Sequence, residues 1–164
     1  MGDVYIGFGS NRDDHLDNLM EALKHLGNFN LIIDRCSSVY ATEGVDSGKG
    51  MPEFYNMVAS FETTLGPKEV LSRCQYVEKL MGKDLTPLVA RKIDLDLLYY
   101  GNLIICEDNL ILPHPLAHRR RFVVIPMVEI APDFVHPVMG LTMSQLNEKL
   151  PEEIGYVNKV KEIM

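Results

Sequence analysis

Over residues 3–9 apolar positions alternate with small or polar ones, the period of a half-buried strand, and the run ends at Gly9-Ser10-Asn11. The spacing then lengthens. Leu16, Leu19, Met20, Leu23 and Leu26 fall on one face of a helix, with Asp13 or Asp14 placed to cap it and Gly27 to stop it. Residues 31–42 predict a strand, and a loop with three glycines and Pro52 occupies 43–53. Residues 54–63 predict the next strand, with Tyr55, Met57, Ala59 and Phe61 on one side. Pro67 takes the favoured first-turn position of a second helix, whose apolar row is Val70, Leu71, Cys74, Val77 and Met81 before Gly82. After another loop, Ile93 to Leu98 predict a strand that runs to Gly101-Asn102.

The order β-α-β-β-α-β predicts an α+β fold with a ferredoxin-like core: an antiparallel sheet, both helices on one face, and the other face free to host a site. C-terminal additions follow, namely a hairpin over 103–112, a helix over 120–130 and shorter pieces. Repeats, low-complexity tracts and linkers are absent from the sequence, so residues 1–164 are expected to form a single domain.

The chemistry concentrates in Arg91-Lys92-Ile93-Asp94-Leu95-Asp96. In a strand, Asp94 and Asp96 share one face roughly 6.5 to 7 Å apart, while Ile93, Leu95 and Leu97 point to the other as a core row. Two like charges on one face repel each other, and Asp is depleted in strands. A divalent cation removes that objection, and Mg²⁺, which takes one or two carboxylates with phosphate oxygens and water, suits the pair. Downstream, Pro113-His114-Pro115 and Arg119-Arg120-Arg121-Phe122 supply groups that bind phosphate, the other half of a nucleotide site.

Composition narrows the classes. A net charge of −7 argues against a nucleic-acid partner. No apolar run is long enough to cross a membrane, and the opening Met1-Gly2-Asp3-Val4-Tyr5 lacks the features of a secretory leader. Cys36, Cys74 and Cys106 are odd in number and widely spaced, which predicts reduced thiols in a cytoplasmic protein.

In this order along the chain, Tyr5-Ile6-Gly7-Phe8-Gly9-Ser10-Asn11, Ser37-Ser38-Val39-Tyr40-Ala41-Thr42, Phe54-Tyr55-Asn56, Gln75-Tyr76-Val77-Glu78, the Asp94-x-Asp96 segment and 113–122 resemble the 6-hydroxymethyl-7,8-dihydropterin pyrophosphokinase family. The resemblance covers roughly residues 3–137 and implies a ferredoxin-like α+β fold. It also implies transfer of a pyrophosphoryl group from ATP to the pterin alcohol in folate biosynthesis, by a monomer. The roles it implies are these. Asp94 and Asp96 hold two Mg²⁺ ions that bridge the ATP phosphates. Phe54 and Phe122 sandwich the pterin, Asn56 hydrogen-bonds its ring, and groups around Thr42 and Val45 read its remaining edge. Gln75, Glu78, His114 and Arg120 contact ATP, and Arg91 contacts the substrates during the reaction.

Taken one at a time, these residues have ordinary structural readings. The phenylalanines suit a core, Gln75 and Glu78 a solvated helix face, His114 a turn, and the arginine run a solvated patch. Their joint occurrence in family order favours the site. The chain departs from the family at Val89-Ala90, where Gly-Pro is common, at Lys83 and Leu116, where arginine is frequent, and at Gly44, where proline is common. Among other classes, a nucleotidyltransferase would carry its Gly-Ser shortly before the D-x-D, whereas more than eighty residues separate them here. A dinucleotide binder would have a third glycine where Arg12 stands. A non-catalytic metabolite-binding module on the same fold would have no need of paired carboxylates.

Overall fold

A computed structural model describes residues 3–11, 14–42, 53–82, 92–151 and 157–163. Its strands are β1 (Val4–Ser10), β2 (Ile32–Cys36), β3 (Val39–Thr42), β4 (Phe54–Glu62), β5 (Asp94–Tyr100), β6 (Ile105–Glu107), β7 (Leu110–Leu112) and β8 (Val157–Lys161). The helices are α1 (His15–Gly27), α2 (Pro67–Leu80), α3 (Arg121–Ile130) and α4 (Met143–Lys149). The main sheet runs β5-β1-β4-β3-β8, with β2 also paired to β4, and every one of these pairings is antiparallel. β6 and β7 form the separate hairpin expected over 103–112.

Strand alternation divides the sheet into two buried faces. Val4, Ile6, Phe8, Met57, Ala59, Phe61, Leu95 and Leu97 pack with Leu19, Ala22 and Leu26 of α1 and Val70, Cys74 and Val77 of α2. Tyr5, Val58, Leu98 and Tyr99 pack instead with Val123, Val124 and Met127 of α3 and Met143 and Leu146 of α4. The second face is therefore not left free, as the two-helix pattern predicts. The C-terminal helices cover one half of it, and the half around the N-terminal end of β5 carries the candidate site.

The sheet has further register shifts at Ile33/Arg35 and at Val39/Tyr40 against β8, but two irregularities bear on the site. Cys36 pairs with Ala59 and Tyr40 with Asn56, so four steps along β2-β3 oppose three along β4. The extra residue lies at Ser37-Ser38, where Ser37 Oγ accepts the Val58 N–H at 2.9 Å and the Ser37 N–H donates to the Val58 carbonyl at 2.8 Å. This bulge divides the strand expected over 31–42. It also turns Tyr40 towards α3 although Cys36, four residues earlier, lies in the α1/α2 core. The second irregularity lies in β5: Tyr5 opposes Tyr99 while Ile6 opposes Leu97, which makes Leu98 the extra residue. Asp14 does occupy the N-cap position of α1, but at φ 65° its side chain makes no capping hydrogen bond.

Candidate active site

The site starts from β5. Ile93, Leu95 and Leu97 are buried, which leaves Asp94 and Asp96 half-buried on the opposite face. Across β1 they oppose Gly9 and Gly7, and Gly9 in turn opposes Asn56 of β4. The two glycines thus leave a shallow floor between the carboxylates and Asn56. A Cβ at Gly9 would lie 2.9 Å from Asn56 Oδ1 and 3.8 Å from the Phe54 ring, so a side chain there would occupy the pocket. Two strand spacings, about 9.5 Å, separate the aspartates from the amide.

Asn56 is 7 % exposed, and its Nδ2 donates to Thr42 Oγ1 at 2.6 Å. That bond fixes the amide with its oxygen over the glycine floor, where it can accept from a planar ligand. Phe54, half-buried, stands on the same face two residues before Asn56. Phe122 lies in the first turn of α3, half-buried against the second core, with the Arg120 guanidinium 5.5 Å from its ring centroid.

His114 follows a cis Leu112–Pro113 bond, and its N–H donates to the Leu98 carbonyl at 2.9 Å, so it sits along the outer edge of β5. Its Nδ1 accepts the Leu116 N–H at 3.1 Å. A neutral ring in that bond carries its proton on Nε2, which becomes a donor available to an anion. Burial pulls the His114 pKa down, Asp96 opposes that, and Arg120 reinforces it. The histidine is accordingly held within electrostatic reach of both the carboxylate pair and an arginine.

Beside Asp96 and His114 opens a cleft of about 290 Å³, walled by Leu71 of α2, Leu97, Asn109, Ile111 and Pro115. Gln75 is exposed one helical turn beyond Leu71. Glu78, expected to contact ATP, is held in the core. It is 5 % exposed, and its carboxylate accepts the Leu95 N–H at 2.9 Å, supporting the Asp94-x-Asp96 segment from the core side. A larger hollow of about 700 Å³ against α1, lined by Asp14, Asp17, Asn18, Glu21, Lys24 and Lys92, offers neither an aromatic face nor the carboxylate pair.

The structure therefore brings Thr42, Phe54, Asn56, Asp94, Asp96, His114, Arg120 and Phe122 to one face and edge of the sheet. Val45 and Arg91, with the atypical positions Gly44, Lys83, Val89 and Ala90, lie outside the described residues. Leu116, also atypical, is exposed and contributes the N–H that orients His114. Sequence reasoning missed the glycine floor and the apolar walls of the cleft. The alternation of Gly7 and Gly9 in phase with Tyr5 was the available signal for the floor.

The carboxylate pair suits a hard cation. It supplies oxygen donors on one face, the facing β1 positions are glycines, and phosphate and water can complete an octahedral shell. Among the described residues no helix is long and apolar enough to cross a membrane.

A family model described as 7,8-dihydro-6-hydroxymethylpterin-pyrophosphokinase (HPPK) matches residues 5–132. The chain is 35% identical over 147 residues to the 2-amino-4-hydroxy-6-hydroxymethyldihydropteridine pyrophosphokinase of Synechocystis, covering 88% of this chain and 74% of that protein. It is 35% identical over 151 residues to the folic acid synthesis protein fol1 of Pneumocystis carinii, where it covers 90% of this chain but spans only 20% of the relative's length. In fold it is similar to the HPPK-DHPS of Plasmodium falciparum, solved with SDX-DHP, at a TM-score of 0.71 and 16% identity, over 91% of this chain and 43% of that one.

Proposed function

Because this chain belongs to the 7,8-dihydro-6-hydroxymethylpterin-pyrophosphokinase family, we propose that it transfers the β,γ-pyrophosphoryl group of ATP to 6-hydroxymethyl-7,8-dihydropterin. The hydroxymethyl oxygen attacks the β-phosphorus, and the bond from that phosphorus to the α,β-bridging oxygen breaks. AMP leaves with the bridging oxygen, the alcohol proton is lost, and the product is the pterin pyrophosphate ester. The observation that carries this reading is the shared face. An amide pocket for a flat heterocycle and a carboxylate pair for a metal–phosphate group lie about two strand spacings apart across Gly7 and Gly9.

Each residue then has a role. Phe54 and Phe122 flank the pterin ring, and Asn56, oriented by Thr42, reads its polar edge along with groups near Val45. The cleft between Leu71 and Ile111 takes the nucleoside, near Gln75. His114 Nε2–H and the Arg120 guanidinium meet the phosphates, and Arg91 joins them from the preceding segment. Asp94 and Asp96 would hold two Mg²⁺ ions, which would supply positive charge against that of the phosphates and the departing oxygen. Glu78 serves ATP indirectly, by holding the strand that carries the aspartates. Most of the acceleration comes from bringing alcohol and phosphorus together in a fixed geometry.

We further infer a ferredoxin-like βαββαβ core with C-terminal additions, supported by the sheet order β5-β1-β4-β3 with α1 and α2 on one face. Residues 1–164 act as a single catalytic domain and as a monomer on two small molecules, in a reducing compartment such as the cytoplasm where the three cysteines stay thiols.

Product analysis after incubation with ATP, Mg²⁺ and the pterin tests the proposal. AMP and the pterin ester are expected, with turnover lowered at least ~100-fold by Asp96→Ala and abolished by chelation. ADP in place of AMP would mean attack at the γ-phosphorus. Pterin binding without turnover would leave a metabolite-binding module.

A further inference from the structure

The two sides of the pterin pocket come from elements far apart in the chain. Phe122 belongs to α3, whereas Thr42, Phe54 and Asn56 belong to the sheet. Their separation depends on how α3 lies against β3 and β4. We propose that Glu129, outside the pocket, is a positioning residue that fixes this separation and thereby tunes pterin affinity. The inference rests on the pterin reading above.

Glu129 stands seven residues beyond Phe122 on α3, about 10.5 Å further along the helix axis. Its carboxylate accepts three hydrogen bonds from the sheet: the Ser38 N–H at 2.9 Å, Ser38 Oγ at 2.7 Å and Tyr40 Oη at 2.7 Å. One residue on, the Arg35 guanidinium donates to the Ile130 carbonyl at the helix terminus. The far end of α3 is thus tied to the β2-β3 segment by bonds of which three end on an anion, the stronger kind of hydrogen bond. Burial pushes the Glu129 pKa up, but the bonds from Ser38 and Tyr40, with Lys159 nearby, hold it below the ordinary carboxylate range.

The tie leads directly to the pocket. Tyr40 is the cross-strand neighbour of Asn56, and Thr42, two residues along the same face, holds the Asn56 amide. Only the Ser37-Ser38 bulge lets Tyr40 face α3 at all, and Ser38 itself supplies two of the three donors. One carboxylate therefore references the helix bearing Phe122 to the strand bearing Thr42. Of the ATP groups, His114 and Asp96 lie at the β5 edge of the sheet, away from this tie, and only Arg120 stands on α3, at its N-cap. Loss of the tie should consequently act chiefly on the pterin, with a smaller effect on ATP through Arg120.

The test is to measure both KM values, kcat and equilibrium pterin binding for wild type, Glu129→Ala, Glu129→Gln and Tyr40→Phe, below each protein's melting midpoint. Glu129→Ala should raise KM and Kd for the pterin on the order of tenfold while KM for ATP stays within about twofold. Tyr40→Phe, which deletes a single donor, should give a smaller shift of the same kind, and Glu129→Gln an intermediate one. Unchanged pterin Kd in folded Glu129→Ala overturns the inference. Equal losses for both substrates overturn it too, because they mark a general structural role. Wild type that binds pterin without turnover refutes the catalytic reading while the Kd series still decides the positioning role; wild type that does not bind pterin refutes both.

Discussion

Replacing His136 with asparagine and following unfolding free energy from about pH 8 to about pH 4 isolates the response of this protein to acid. His136 is 3 % exposed, with the His118 ring 5.3 Å and the Tyr99 ring 5.6 Å away, centroid to centroid. Its Nδ1 accepts the N–H groups of Val138 at 3.2 Å and Met139 at 3.0 Å. A proton on Nδ1 would break both bonds and place a charge in a buried position. Burial, with a lesser push from His118, takes the pKa from 6.5 down to about 4. Because the folded value is the depressed one, the unfolded chain binds the extra proton first. The stability is fully present above the unfolded pKa of 6.5 and is lost as pH falls towards 4. At about 1.4 kcal/mol per unit, the window corresponds to about 3 kcal/mol.

Asparagine keeps an acceptor near the position of Nδ1 but does not titrate. Glu129, whose depressed pKa also costs stability in acid, titrates in both proteins and cancels in the difference. Urea titrations at each pH should show wild type losing about 3 kcal/mol more than His136→Asn. His118, lowered chiefly by burial, adds in the same direction if its environment changes with the substitution. Parallel stability curves would refute the reasoning.

Gly9→Ala should remain folded, because the added methyl meets a side-chain oxygen and not backbone, but pterin KM should rise at least ~10-fold as Asn56 is displaced; steady-state kinetics beside a melting curve check this. Glu78→Ala strands the buried Leu95 N–H and should cost about 1 to 3 kcal/mol in a urea titration, with kcat falling as the Asp94-x-Asp96 segment loosens. An unchanged urea midpoint would mean that the strand finds another acceptor.

The paired aspartates were legible because strand period alone puts Asp94 and Asp96 opposite a Leu95/Leu97 core row, and the structure keeps that row buried. The bulges were not. At Leu97-Leu98-Tyr99 all three residues are apolar, so hydropathy cannot tell which one is extra. At Ser37-Ser38 the break is made by a hydroxyl that replaces a backbone acceptor for Val58, a bond that leaves no trace in an apolar pattern. The burial of Glu78 was hidden for a related reason. Its spacing from Gln75 fits a solvated face, while it accepts a main-chain N–H from a strand sixteen or more residues away. Phe54, Asn56 and Phe122 were singled out through motif resemblance alone, since composition and periodicity suit a core equally well.

The Ser37-Ser38 bulge makes this pocket sensitive to residue count as well as to residue type. Removing either serine would close the bulge and leave three steps on each strand between the Cys36–Ala59 and Tyr40–Asn56 pairs, so Tyr40 and Thr42 would keep their face while the bonds that serine makes to Val58 or Glu129 would be lost. A substitution in this stretch removes one contact at a time. A one-residue deletion would remove several at once without inverting the strand, so it should weaken the hold on α3 while leaving Thr42 beside Asn56.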